Sequence, residues 1–215
     1  MRTYLWIIFF GIASLSALPV ARIDIFNASS RYKYFKYLSL AMFAWTGINY
    51  IKFVSLSARV VYYAQLTVYP LVFSITALIF LSLLQYLGKR IPKIIFVILI
   101  LFFLADAAIA YTNDIHHLFL DITNHPSLTY AIIRTAPHGL VFYIHTAVCY
   151  TILIIAMISI IVKLYGNLRK DQDSFPFIIM IFALVIGIAT NITHIFITDL
   201  MIDPTYIALV LLTTI

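Results

Sequence analysis

The chain has 215 residues, of which 64% are hydrophobic and only 10% charged, and its mean hydropathy is +1.05. A soluble domain of this length has no core large enough for that much apolar surface, so the composition excludes a soluble enzyme or binding module. The net charge of +6 is spread over short connections, which fits loops beside anionic lipid and gives no indication of nucleic-acid binding.

A span crossing ~30 Å of hydrocarbon needs roughly 20 apolar residues, and seven candidates follow one another along the chain. The first, Tyr4–Val20, is short. Met1–Ala21 also has an alternative reading as a signal peptide, with Arg2 ahead of an apolar stretch and small residues near Ser16 and Ala17. The connection Arg22–Lys36 places Tyr32, Tyr34 and Phe35 among basic residues and suits the headgroup region. Span two, Tyr37–Val54, carries Trp45 and Asn49; span three, Tyr62–Leu87, carries Gln65 and a potential kink at Pro70. Gly88 to Pro92 reads as a tight turn, with Gly ending one helix and Pro starting the next. Span four, Ile94–Tyr111, contains Asp106. The long connection Thr112–Gly139 mixes four histidines with apolar runs and is expected to cap the bundle as a re-entrant or surface segment. Span five, Leu140–Val162, carries His145 and Cys149, and Tyr165 to Pro176 forms the next turn. Span six, Phe175–Ile197, carries Asn191 and His194. The seventh starts at Tyr206 and reaches only Ile215, so the last helix reads as truncated. The expectation is one all-α, seven-helix integral-membrane domain over residues 1–215, without an output domain.

Orientation follows from charge. Most of the 14 Lys and Arg residues fall after spans one (Arg22, Arg31, Lys33, Lys36), three (Lys89, Arg90, Lys93) and five (Lys163, Arg169, Lys170). By the positive-inside rule the N-terminus lies outside and the C-terminus inside, in a multi-pass cell-membrane protein. A cleaved signal peptide would leave the basic stretch 22–36 outside, against that rule. The one cysteine precludes an intrachain disulfide, and every acidic residue is Asp.

Polar side chains gather at one level. Asp106 and His145 each lie roughly 7–8 Å below their helix ends at 1.5 Å per residue. Asn49, Gln65, Asn191 and His194 have similar depth, while the opposite halves of the spans are nearly featureless hydrocarbon. A carboxylate within a span is expensive and needs a partner, for which His145 or His194 is available; such a pair would respond to pH. Interhelical hydrogen bonding is the competing role for every one of these groups. Because the polar lining stops partway, the pattern fits an outward-facing ligand pocket better than a conduit. A metal or haem site is a sharper alternative: His145 and Cys149 are spaced i, i+4, with His194 and His116 as further candidates. No CxxC, HExxH or CxxCH motif supports it, and no cofactor is expected. No nucleophile or phosphate-loop motif is present, so the chain itself should catalyse nothing.

Three short motifs carry a resemblance. Thr112-Asn113-Asp114-Ile115-His116-His117-Leu118 resembles a Thr-Asn-x-x-His-His-Leu stretch. Gly139 to His145, with Tyr150 downstream, resembles the same family's entry into span five. Asp203-Pro204-Thr205-Tyr206-Ile207-Ala208 resembles its Asp-Leu-Thr-Pro-Ile-Ala motif, with the proline displaced. Trp45 and the turn at Gly88–Pro92 are fainter echoes. The family is the N-terminal seven-transmembrane sensor region of bacterial histidine kinases, also found ahead of diguanylate cyclases. The resemblance implies an outside N-terminus, seven helices, an extracytoplasmic ligand, and a cytoplasmic kinase or cyclase module in cis. It also implies pairing into a homodimer and roles for Asn113, His116, His145 and Asp203.

Overall fold

The computed structural model of the protein describes residues 33–123, 129–170 and 172–196. The first and seventh expected spans, with Asp203 and Thr205, lie outside the described residues. What is described is helical: α1 Lys33–Val54, α2 Ala58–Tyr86, α3 Lys93–Tyr111, α4 Asn113–His116, α5 Tyr130–Thr135, α6 Leu140–Leu168 and α7 Phe175–Phe196. Four of these, α2, α3, α6 and α7, are long and apolar enough to cross a membrane. The α1 helix, the expected second span, is not among them; its 22 residues include lysines at positions 33, 36 and 52.

Element ends differ from the sequence expectation for identifiable reasons. Helix α2 starts earlier, at Ala58, because the Ser57 hydroxyl accepts the Val60 N–H and caps the first turn. It ends in a Schellman arrangement, with Lys89 N–H bonded to Leu84 O and Gly88 N–H to Gln85 O. Gly88 supplies the left-handed residue that closure needs, at φ +69°. Pro70 does not break α2, which runs through it. Helix α6 extends past Val162 to Leu168, carrying Lys163 within it. A lysine at that position can send its charged end to the interface while the backbone stays helical.

Helix α2 is the hub, packing against α1, α3 and α6, while α6 in turn packs against α7. The apolar window of α2 is 67% buried, against 11% for α3 and 17% for α6. The outward stripe of α3, Ile94, Val97, Ile98, Leu101 and Leu104, is exposed at helical spacing. That is the surface expected to face lipid. Two apolar layers form inside. One lies toward the α2–α3 turn and includes Leu38, Trp45, Ile79, Leu84, Ile160 and Phe177. The other lies toward the α3–α6 connection and includes Tyr62, Leu66, Tyr69, Phe119 and Phe142. Phe73, Ala77 and Cys149 form a third cluster.

The described parts of the α3–α6 connection form a frame. Its two ends pair through an antiparallel bridge between Leu120 and His138, with Asp121 N–H on Pro137 O and Gly139 N–H on Phe119 O. The Leu118 carbonyl accepts the Val141 N–H, so loop backbone satisfies an otherwise orphaned donor at the start of α6. Gly139 permits this approach. A Cβ there would collide with the Leu118 carbonyl, which explains the glycine in the span-five motif.

Candidate functional site

Asp106 and His145 meet. Helices α3 and α6 bring the imidazole Nδ1 to 3.0 Å from both carboxylate oxygens, and both residues are 3% exposed. The Nδ1–H therefore donates to Asp106, which fixes the ring. One turn further along α6, the Cys149 sulfur lies 3.7 Å from Nε2. The contact extends the pair into a continuous thiol–imidazole–carboxylate chain in which each polar group is partnered. This order of groups also occurs around activated thiols, but here the sulfur is buried and the chain is a link between two apolar helices.

Aromatic rings close over that link. Tyr69 of α2 and Phe119 of the connection stack at 4.6 Å. Each meets His145 edge-on at 6.0 Å. Phe142 packs against Tyr69, and His138 stacks on Phe142 at 3.7 Å. Phe119 is completely buried and sits as a plug-like ring between the loop and the Asp106–His145 pair. Burial holds the His138 imidazole below its ordinary pKa, because the charged form loses hydration there.

Asn113 holds the plug. Its Oδ1 accepts the Phe119 N–H at 2.8 Å and the Leu120 N–H at 3.2 Å. Its Nδ2 donates to the Tyr62 hydroxyl at 2.9 Å and the Leu120 carbonyl at 3.0 Å. These four bonds use the full capacity of a primary amide. His116 holds the same loop: Nδ1 accepts the Leu118 N–H at 3.1 Å, so the proton sits on Nε2 and faces Thr112 Oγ1, also at 3.1 Å. The Thr112 hydroxyl donates in turn to Ala108 O. The Thr-Asn-x-x-His-His-Leu motif is thus the wiring of a loop, including His117 at φ 54° as the left-handed end of α4.

The other expected site residues do not converge on this point. Gln65 reaches it only through the Tyr69 hydroxyl, at 3.5 Å. The Asn191 Oδ1 accepts from Tyr150 at 2.8 Å, tying α7 to α6. The Asn49 amide bonds back to the Trp45 carbonyl and accepts from Lys52. The His194 side chain lies outside the described residues. Among the described residues the polar side chains of the expected level make three separate contacts. Sequence reasoning missed Tyr62, Tyr69 and Phe119, whose aromatic character reads as ordinary core. Among the described residues no group of three or more His, Cys, Asp or Glu is placed to hold a metal ion, since both His145 nitrogens already have partners.

No curated protein and no solved structure matches the chain. The family described as the N-terminal 7TM region of histidine kinase matches residues 4–215. That match covers almost the whole sequence, agrees with the all-helical, apolar architecture, and accounts for a membrane-embedded region that is not itself catalytic. The chain belongs to the family of N-terminal 7TM regions of histidine kinases.

Proposed function

We propose that the chain is the extracytoplasmic-sensing region of a bacterial signal-transduction protein. Its N-terminus is outside, seven helices cross the cell membrane, and a kinase or cyclase module follows in the cytoplasm, the whole pairing as a homodimer. The observation that carries the proposal is the Asp106–His145 contact under the Phe119 plug. The distribution of Lys89, Arg90, Lys93, Lys163, Arg169 and Lys170 at the far end supports the orientation.

In this reading an extracytoplasmic ligand competes with Phe119 for the face of Tyr69 and reaches Asp106 and His145. Its better affinity for the unplugged arrangement shifts the population, and α2, α6 and α7 carry the shift inward. Asn113 and His116 set how readily the plug leaves. Gln65 and Asn191 bias the neighbouring helices, and His194 completes the outer end of α7.

The test separates signalling from helix packing. Removing one partner of a buried charged pair is strongly destabilising, whereas replacing both by apolar residues is often neutral. The Asp106→Leu/His145→Leu double variant should therefore insert and fold like the parent yet lose the response of the attached output module. A full response in that variant would reduce the pair to interhelical glue and remove the proposed site.

A further inference from the structure

The far end of the bundle holds a feature that the sensing mechanism does not use. Between the α2–α3 turn and the end of α6 lies a half-open cleft of about 200 Å³. Its lining includes Lys89, Lys163 and Lys170 together with Ser159, Asn167 and Gln172. At roughly 30 Å³ per water, this is room for a phosphate group and part of its hydration shell. The three lysines come from the α2–α3 turn and from the last turns and end of α6, and all line the one cleft. Asn167 organises the wall, its amide donating to Asp173 O while its carbonyl accepts the Lys170 and Gln172 N–H groups.

The charge balance favours an anion. Lysines near helix C-termini commonly serve to offset the helix dipole, and here two helices end at the cleft. Each such end carries about half a negative charge, so the two together neutralise only about one of the three cations. Among the described residues the lysines have no carboxylate partner. Asp173 of the same turn has its Oδ1 on the Phe175 N–H. Arg169 is directed elsewhere, over the Tyr165 ring at 4.5 Å.

Position selects the source of that anion. Val162 lines the cleft, and the adjoining Ile158, Ile161 and Val162 are exposed along α6. That surface offers acyl chains an apolar path directly below the lysines. We propose that the Lys89–Lys163–Lys170 cleft is a binding site for the phosphate headgroup of an anionic phospholipid. The placement in the cytoplasmic leaflet rests on the orientation proposed above; the binding itself does not.

The experiment is native mass spectrometry of the whole chain released from neutral phosphatidylcholine micelles doped with phosphatidylglycerol. The parent should retain phosphatidylglycerol in preference to phosphatidylcholine. A lysine near the surface contributes roughly fivefold to anionic-lipid binding, so Lys89→Gln/Lys163→Gln/Lys170→Gln should lower retention on the order of a hundredfold. The charge-matched Arg90→Gln/Lys93→Gln/Arg169→Gln variant, at the same end but off the cleft, should stay near the parent. Equal loss in both triple variants would show diffuse attraction and overturn the site. Competition by glycerol phosphate as effective as that by phosphatidylglycerol would overturn the lipid assignment in favour of a soluble phosphate ester. Helicity by circular dichroism verifies that each variant is folded. Because no signalling output enters the measurement, its failure leaves the sensor proposal standing, and failure of the sensor proposal leaves this result interpretable.

Discussion

Replacing Asn113 by alanine should open the plug without unfolding the bundle. The substitution removes the partner of two buried N–H groups, Phe119 and Leu120, and of the Leu120 carbonyl. Each buried group left without a partner costs about 1–3 kcal/mol. Water entering the vacated volume recovers part of that. A net loss of about 3 kcal/mol in the local opening free energy is the expected result, taking the lower end of that range for each group. At 1.4 kcal/mol per factor of ten, amide exchange at Phe119 and Leu120 should accelerate on the order of a hundredfold. Amides in the middle of α6 should retain their parental protection. The chain's one cysteine provides a second readout, since Cys149 is 5% exposed behind Phe119, Tyr69 and His145. A small methanethiosulfonate reagent should label it faster in the variant. If exchange at Phe119 and Leu120 rises no more than in α6, Asn113 does not hold the loop and the plug is anchored elsewhere.

Other consequences are open to direct measurement. Gly139→Ala forces a Cβ into the Leu118 backbone, and overpacking of this kind costs about 1–3 kcal/mol; thermal unfolding in detergent should show the loss, and an unchanged midpoint would refute the close approach. His145→Ala alone leaves the Asp106 carboxylate buried without its partner, a loss of about 3–5 kcal/mol, which the Asp106→Leu/His145→Leu double variant should largely recover in the same assay. In a Cys149→Ala background, Thr123→Cys should react with an impermeant maleimide applied to intact spheroplasts, and Gln172→Cys only after permeabilisation; the reverse pattern would invert the proposed orientation. His138, held below its ordinary pKa of 6.5 by burial, binds its proton less tightly in the folded loop than in the unfolded one. Its contribution is therefore complete above pH 6.5 and declines as pH falls below it. His138→Phe should flatten the acid-side loss of exchange protection in the 119–121 segment, and an equally steep profile would place the effect on another group.

The parts of this site legible in the sequence are those that energy alone demands. Asp106 within an apolar span requires a partner at its own depth, and counting 1.5 Å per residue from the helix ends narrows the choice to His145 or His194. Depth does not give direction. Asn49 stands at a comparable level, yet its amide turns back to the Trp45 carbonyl of its own helix; a polar residue whose helix rotates about 100° per position can face anywhere. His116 reads as a ligand group from its place on the outer side, and Asn113 only through the family resemblance. Besides the hydroxyls of Tyr62 and Thr112, their partners are backbone atoms two to seven residues onward in an irregular loop, for which no periodicity exists. Tyr69 and Phe119 were hidden by their ordinary apolar character, although Leu118-Phe119-Leu120 is a short apolar run within a polar connection and marks a segment that must bury itself.

Among the described residues, hydrogen bonding favours the proposed receptor over a conduit. Ions crossing the hydrocarbon layer need groups along the route to replace their hydration. Below the Asp106–His145 level, Ser39, Ser74 and Thr151 donate to the carbonyl four residues earlier in their own helices. Those hydroxyls are used within single helices and do not line a path. Between them the core is Leu38, Met42, Ile79, Leu84, Ile160 and Phe177. In the proposed sensor, a signal received at the Phe119 plug would then pass along the bundle as a change in packing. Helix α2 is suited to that role, with Tyr69 stacked on the plug and Leu84 packed near the basic end. Its 29 residues span about 43 Å at 1.5 Å per residue. A tilt of α2 at Tyr69 would, in the proposed mechanism, displace the α2–α3 turn and its lysines.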